Sequence, residues 1–322
     1  MLNKRFQRRF TPLAGAALWL CLANSAVAVA VADIKAETEA ESERCAVDDL
    51  EREVCLEAPA SRIAALSPGA TELAFAAGAG ENVVAVVAHS DYPPAARQLP
   101  SVGNHNRLDL EALVGLEPDL VIGWVTGNPD EQLKTLKSLD MAVFYIEPRT
   151  TESVARALER LAHLSGSDAI GREEAERFRD GMAELKARYS EREPVSMFYQ
   201  VWDAPLMSIN KEHLIGRAVE DCGGVNVFGD QPRLVPRLDD EAVLQANPDV
   251  IITGRSGDAD SDDKSSAWLA HWQQYPGMTA VAEGNLFTVP ADWLVRPTPR
   301  FLQGAEALCE RLDRARHGNE PE

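Results

Sequence analysis

Two stretches of the chain alternate between polar and branched aliphatic positions in the same way. LDLEALVGLEPDLVI at 108–122 and LDDEAVLQANPDVII at 238–252 are identical at seven of fifteen aligned positions and lie 130 residues apart. Each predicts a short helix opening beside an aspartate, then a Pro-Asp turn, then a buried strand, the sequence form of a parallel α/β unit. RIAALSPGATELAFAAGAG (62–80) and SMFYQVWDAPLMSINKEHLIGRAVEDCGG (196–224) repeat in pattern only: strand, polar turn, helix, Gly-rich stop. Between the copies, residues 152–192 carry Ala, Glu, Arg and Leu at helical spacing, broken once at SGSD (165–168), which predicts a long helix from about Ala169 to Ser190. The expected fold is α/β. Two Rossmann-like lobes, 61–150 and 194–315, are joined by a single long interlobe α-helix in a linking segment, 151–193. A helix crossing once resists large hinge motion, so small closure is expected. A repeat alone leaves open the alternative in which that helix is one more layer of a single domain.

The first 32 residues stand outside this pattern. Lys4, Arg5, Arg8 and Arg9 precede an apolar stretch from Leu13 to Leu22 that ends in the small-residue run SAVAVAVA, the form of a secretory signal peptide. Cleavage fits after Ala28 or Ala32, and Ala32 is preferred because polar sequence begins at Asp33. Cys21 lacks the small residues that a lipoprotein signal places before its cysteine, so a free exported protein is expected, with residues 33–60 as an N-terminal extension and 316–322 as a tail. Removing the four basic residues of the signal leaves 28 Lys and Arg against 51 Asp and Glu, a net charge of −23, which disfavours nucleic acid and anionic membrane surfaces as partners. With 45% hydrophobic and 26% charged residues the chain has room for two cores.

Export leaves Cys45, Cys55, Cys222 and Cys309, an even number that in an oxidising compartment argues for disulfides over metal ligands. Three pairings are possible. Cys45 and Cys55 flank the hairpin-like VDDLEREV, which makes a local bridge reasonable and leaves Cys222, at a helix end, with Cys309 on the terminal helix. No spacing supports a zinc site.

Ligands of open parallel sheets bind beyond the carboxyl ends of the strands, which selects candidates by position. Trp124 follows the first repeat's strand. His89 lies in AHSDYPP, His105 in GNHNRLD, Trp202 and Met207 in QVWDAPLM, and Asp292, Trp293 and Arg296 in ADWLVRP. Together they make an aromatic, basic and acidic rim. No G-x-S-x-G, P-loop, H-E-x-x-H or post-strand G-x-G-x-x-G occurs, so no enzyme signature is present.

Taken as a set, SPGATELAFAAGAG, SDYPP, LDLEALVGLEPDLVIGW, YQVWDAPLMSINKEHL, CGGVNVF and DWLVRPTPR resemble the periplasmic cobalamin-binding proteins of ABC importers, within the siderophore, haem and cobalamin class. The resemblance covers about residues 61–315. It implies a class III periplasmic binding protein, limited closure, a corrinoid as transported ligand with no cofactor, and a monomer that meets a dimeric permease and its ATPase. It also implies Trp124, Asp292 and Arg296 as cleft residues, with Trp202 and Met207 near an aromatic site, and supports the Cys222–Cys309 pairing. Glu111 and Glu241, equivalent in the two repeats, are implied to meet permease arginines. Three positions depart from the family: His89 and His105 stand where a Tyr and a Trp are expected, and Val235 where an aromatic is expected. Imidazole is a good ligand for cobalt or haem iron, so either histidine is a candidate axial ligand, and haem or a ferric siderophore is the alternative cargo.

Overall fold

In the computed structural model, residues 43–255 and 264–318 are described, Lys264 without its side chain. The signal peptide with its cleavage site, residues 33–42 of the extension and residues 319–322 of the tail lie outside the described residues.

The described chain opens with a hairpin, β1 (Arg44–Val47) and β2 (Glu53–Leu56), whose facing Cys45 and Cys55 are joined by a disulfide. The first lobe then runs β3 (Ile63–Ala65), α1 (Pro68–Ala74), β4 (Val83–Ala85), a small hairpin β5–β6 (Gly103–Asn104 and Arg107–Leu108), α2 (Leu110–Gly115), β7 (Leu120–Trp124), α3 (Asp130–Ser138) and β8 (Val143–Ile146). Its four-stranded sheet is parallel, in the order β4-β3-β7-β8. Two helices follow, α4 (Thr151–Ser165) and α5 (Asp168–Tyr189). The second lobe repeats the plan with β9 (Val195–Gln200), α6 (Leu214–Asp221), β10 (Gly224–Asn226), α7 (Asp240–Ala246), β11 (Val250–Arg255), α8 (Lys264–Trp272), α9 (Thr279–Ala282), β12 (Leu286–Pro290), α10 (Ala291–Val295) and α11 (Phe301–His317). Its parallel sheet has the matching order β10-β9-β11-β12.

The sequence repeat has a physical cause that can be followed atom by atom. Asp109 and Asp239 cap α2 and α7, accepting from the backbone N–H of Ala112 at 3.0 Å and Ala242 at 2.9 Å. The residue before each proline, Glu117 or Asn247, holds a left-handed φ of 45° or 43°, which turns the chain from helix to strand. The next aspartate then ties the entering strand to the start of its lobe. Asp119 accepts from the N–H of Arg62 at 3.0 Å, and Asp249 accepts from that of Ser196 at 2.9 Å.

Helix α5 spans 168–189, one residue from the expected bounds at each end. It buries Ala175, Phe178, Met182, Leu185 and Tyr189 on one face, and packs against α4 and the helical turn Phe75–Ala79 on the first-lobe side and against α6 and α11 on the second. This changes the expectation of two cores. One continuous core takes in Ile63 and Ile122 of the first sheet, Phe178 of α5, and Tyr199 and Phe301 of the second lobe, while a smaller cluster covers the outer face of each sheet. Cys222, closing α6, is bonded to Cys309 of α11 with both residues fully buried. Closing a loop of 87 residues stabilises by about 4.6 kcal/mol on chain-entropy grounds.

Candidate functional site

In each sheet the chain reverses direction of growth between the two central strands, and the carboxyl ends there open into a crevice. A cavity of about 310 Å³ lies in that crevice, walled by both lobes.

The first-lobe wall is built from the residues just past β3, β7 and β8. Ser67 leaves β3 and caps α1, accepting from the N–H of Ala70 at 3.0 Å, with Pro68 at the first helical position. Trp124 ends β7, and its ring lies so close over Gly127 that a Cβ there would meet the indole at 1.8 Å. Asn128 fixes this corner. It accepts from the Trp124 N–H at 2.7 Å and donates to the carbonyls of Leu66 at 2.8 Å and His105 at 3.1 Å, joining β3, β7 and the His105 loop. The His105 and Trp124 ring centroids stand 6.0 Å apart. After β8 come Glu147, Pro148 and Arg149, also in the wall. Glu147 accepts from the hydroxyl and N–H of Thr126, and Arg149 reaches its carboxylate at 3.4 Å.

The second-lobe wall has His213 and Leu214 at the start of α6, Leu234, and Leu294–Pro297 beyond β12. Arg296 is its electrostatic centre. Nearly buried, it meets Glu72 of α1 and Asp91 at 2.8 Å each and Asp292 at 3.1 Å, and donates to the His89 carbonyl at 3.3 Å. Glu72 also accepts from the Thr298 hydroxyl at 2.8 Å and faces Arg300 at 3.5 Å. Burial pushes the Glu72 carboxyl above the usual range against the pull of Arg296, Arg300 and Thr298. Burial also raises Asp91, but the Arg296 hydrogen bond and charge outweigh it and hold that carboxyl low. For Arg296, burial disfavours the charge and the contacts with Asp91 and Glu72 reverse that, so its pKa lies above the ordinary guanidinium value.

Of the residues selected by sequence, His89, His105, Trp124 and Arg296 line the cavity. Asp292 stands behind Arg296 as its ion partner. Trp202, Met207 and Trp293 do not line it. Trp202 is half-exposed, packing edge-on against Trp268, and Met207 is held by backbone bridges to Trp202 and Arg237. Val235 is solvent-facing while its neighbour Leu234 faces the cavity. Glu111 and Glu241 are exposed in the first turns of α2 and α7. Sequence reasoning missed Glu147 and Arg149, which the rule of strand ends would have found after VFYI. It also missed His213, Asn128 and the Glu72–Asp91 pair, whose roles rest on contacts between distant segments.

A family described as "Periplasmic binding protein" matches residues 63–293. The vitamin B12-binding protein of Vibrio cholerae serotype O1 is 37% identical over 254 residues, which cover 79% of this chain and 90% of that protein. The vitamin B12-binding protein of Photorhabdus laumondii is 34% identical over 252 residues, covering 78% of this chain and 88% of that one. Among solved structures, the periplasmic vitamin B12-binding protein of Vibrio cholerae is similar with a TM-score of 0.71 at 35% identity, covering 80% of this chain and 98% of that chain. A periplasmic haem-binding protein of the same species has a TM-score of 0.68 at 22% identity, covering 77% and 97%, a likeness of fold alone.

Proposed function

Because the chain belongs to the periplasmic binding protein family, we propose that it captures cobalamin or a related corrinoid in the interlobe cleft, as a free monomer in the periplasm, and delivers it to a dimeric ABC permease driven by its ATPase. The names of the relatives at 34–37% identity support a corrinoid. The observation that carries the reading on this chain's own residues is charge matching. Both cations lining the cavity already face carboxylates, Arg296 three of them and Arg149 that of Glu147. A polyanionic siderophore or the two propionates of haem would need guanidinium groups that are free to pair. A ring fringed with neutral amides needs only donors, acceptors and flat apolar surface, which the cavity-lining Trp124, Arg296, His89 and His105 supply.

The second reading, haem, rests on His89 and His105, whose rings make no hydrogen bond among the described residues and so keep a lone pair for a metal. The same two imidazoles suit the cobalt of a corrinoid that lacks its lower base. Visible absorption spectra and calorimetry of the exported protein with cyanocobalamin, dicyanocobinamide and haemin separate the two. Submicromolar binding of a corrinoid is the expected result, and tight haemin binding with no corrinoid heat would reject the assignment.

A further inference from the structure

His213 is the third histidine of the cleft, and its chemistry differs from that of the other two. It precedes α6 in extended conformation, and its Nδ1 accepts a hydrogen bond from the Ile215 backbone N–H at 3.1 Å, so the ring serves as the helix cap. His213 lines the cavity beside Leu214, and no protein group bonds to its Nε2 among the described residues. Burial, helped by the charge of Arg149, pushes the imidazole down to about 4, so it is neutral in ordinary periplasmic conditions. A neutral imidazole carries one proton. With Nδ1 spent as an acceptor, that proton sits on Nε2.

We propose that His213 is a fixed hydrogen-bond donor of the cleft, presenting Nε2–H to an acceptor oxygen on the ligand, of the kind a corrinoid's amide fringe supplies. The identity of that acceptor rests on the corrinoid reading; the donor character does not. A ring nitrogen that carries a proton has no lone pair for a metal, so His213 is closed to axial coordination while α6 keeps its cap. His89 and His105, with uncommitted rings, remain open to it. The three imidazoles thus divide between orienting the rim of the ligand and meeting its centre.

Two measurements test this. Long-range ¹H–¹⁵N correlation spectra of the ligand-free protein should show His213 as the Nε2–H tautomer with no titration between pH 5 and 8; an Nδ1–H tautomer or a midpoint near 6.5 would overturn the assignment. His213→Ser keeps a capping oxygen but cannot reach the cavity. It should unfold near the wild-type midpoint, bind cyanocobalamin and dicyanocobinamide about tenfold more weakly, and leave the visible spectrum of bound cobinamide unchanged. Undiminished affinity removes the contact, and a shifted spectrum would mean that the imidazole had been coordinating, which also overturns the proposal. A wild-type protein that binds neither corrinoid removes the functional reading instead, and the imidazole spectra then decide the donor assignment alone.

Discussion

Trp124 and Asn128 show how a binding surface is made from one residue that would touch ligand and one that would not. The indole is a flat apolar face in the cavity, and removing it with Trp124→Ala should cost about 2 kcal/mol, or roughly thirtyfold in corrinoid affinity by calorimetry. Asn128 is buried behind it, and its side chain makes three hydrogen bonds that hold the Trp124 backbone and the His105 loop. Asn128→Ala should therefore lower stability by about 2–3 kcal/mol, at roughly 1 kcal/mol per lost bond, and weaken binding without removing any cleft-lining group. Unchanged affinity in a destabilised variant would show that the corner does not position the indole. Trp124 was legible in the sequence because it directly follows an aliphatic strand. Asn128 was not, since its partners lie up to 62 positions away and a lone Asn has no periodicity to betray it.

The N-terminal hairpin is the element whose role the sequence concealed most. The Cys45–Cys55 bridge was expected from VDDLEREV, but nothing local says where the hairpin docks. Its tip lies on β8, the edge strand of the first sheet. The Asp49 N–H donates to the Tyr145 carbonyl at 2.9 Å, and its carboxylate accepts from the Glu147 N–H at 2.5 Å and pairs with Arg160 at 2.7 Å. Arg52 lies 4.0 Å over the Tyr145 ring, held by Asp48. The hairpin thus covers an exposed edge and fixes the turn that sends Glu147–Arg149 into the cleft wall. Asp49→Ala should loosen that turn, costing about 1–3 kcal/mol of stability and several-fold in ligand affinity. Denaturant titration and calorimetry check both, and full affinity would assign the hairpin a purely protective part. By contrast, α2 with β7 and α7 with β11 were readable from composition, because caps, Pro-Asp turns and aliphatic strands are local codes.

At the scale of the molecule, the doubled plan places Glu111 and Glu241 at equivalent, exposed positions, one on each lobe. On the transport reading proposed above, a dimeric permease would offer two equivalent surfaces, and carboxylates on both lobes would suit charge-assisted bonds to cationic side chains there. Converting both residues to Ala should weaken complex formation with the permease and uptake while leaving corrinoid affinity intact; normal uptake would leave the pair as ordinary helix-start acids. The continuous core through α5 and the Glu72–Arg296 ion pair tie the two lobes together. The sequence by itself determined the α/β class, the repeat and the long helix, which follow from periodicity and from contacts three or four residues apart, and it picked out Trp124, His89, His105 and Arg296 among the cavity residues by their place beyond predicted strands. Only tertiary structure decided that Arg296 is committed to carboxylates rather than free for an anion, that His213 joins the cleft while Trp202 stays outside its cavity, and that one core serves both lobes. The reason is distance along the chain. Arg296 and Glu72 are separated by 224 positions, and the energy of burying and pairing them exists only once the two lobes have met.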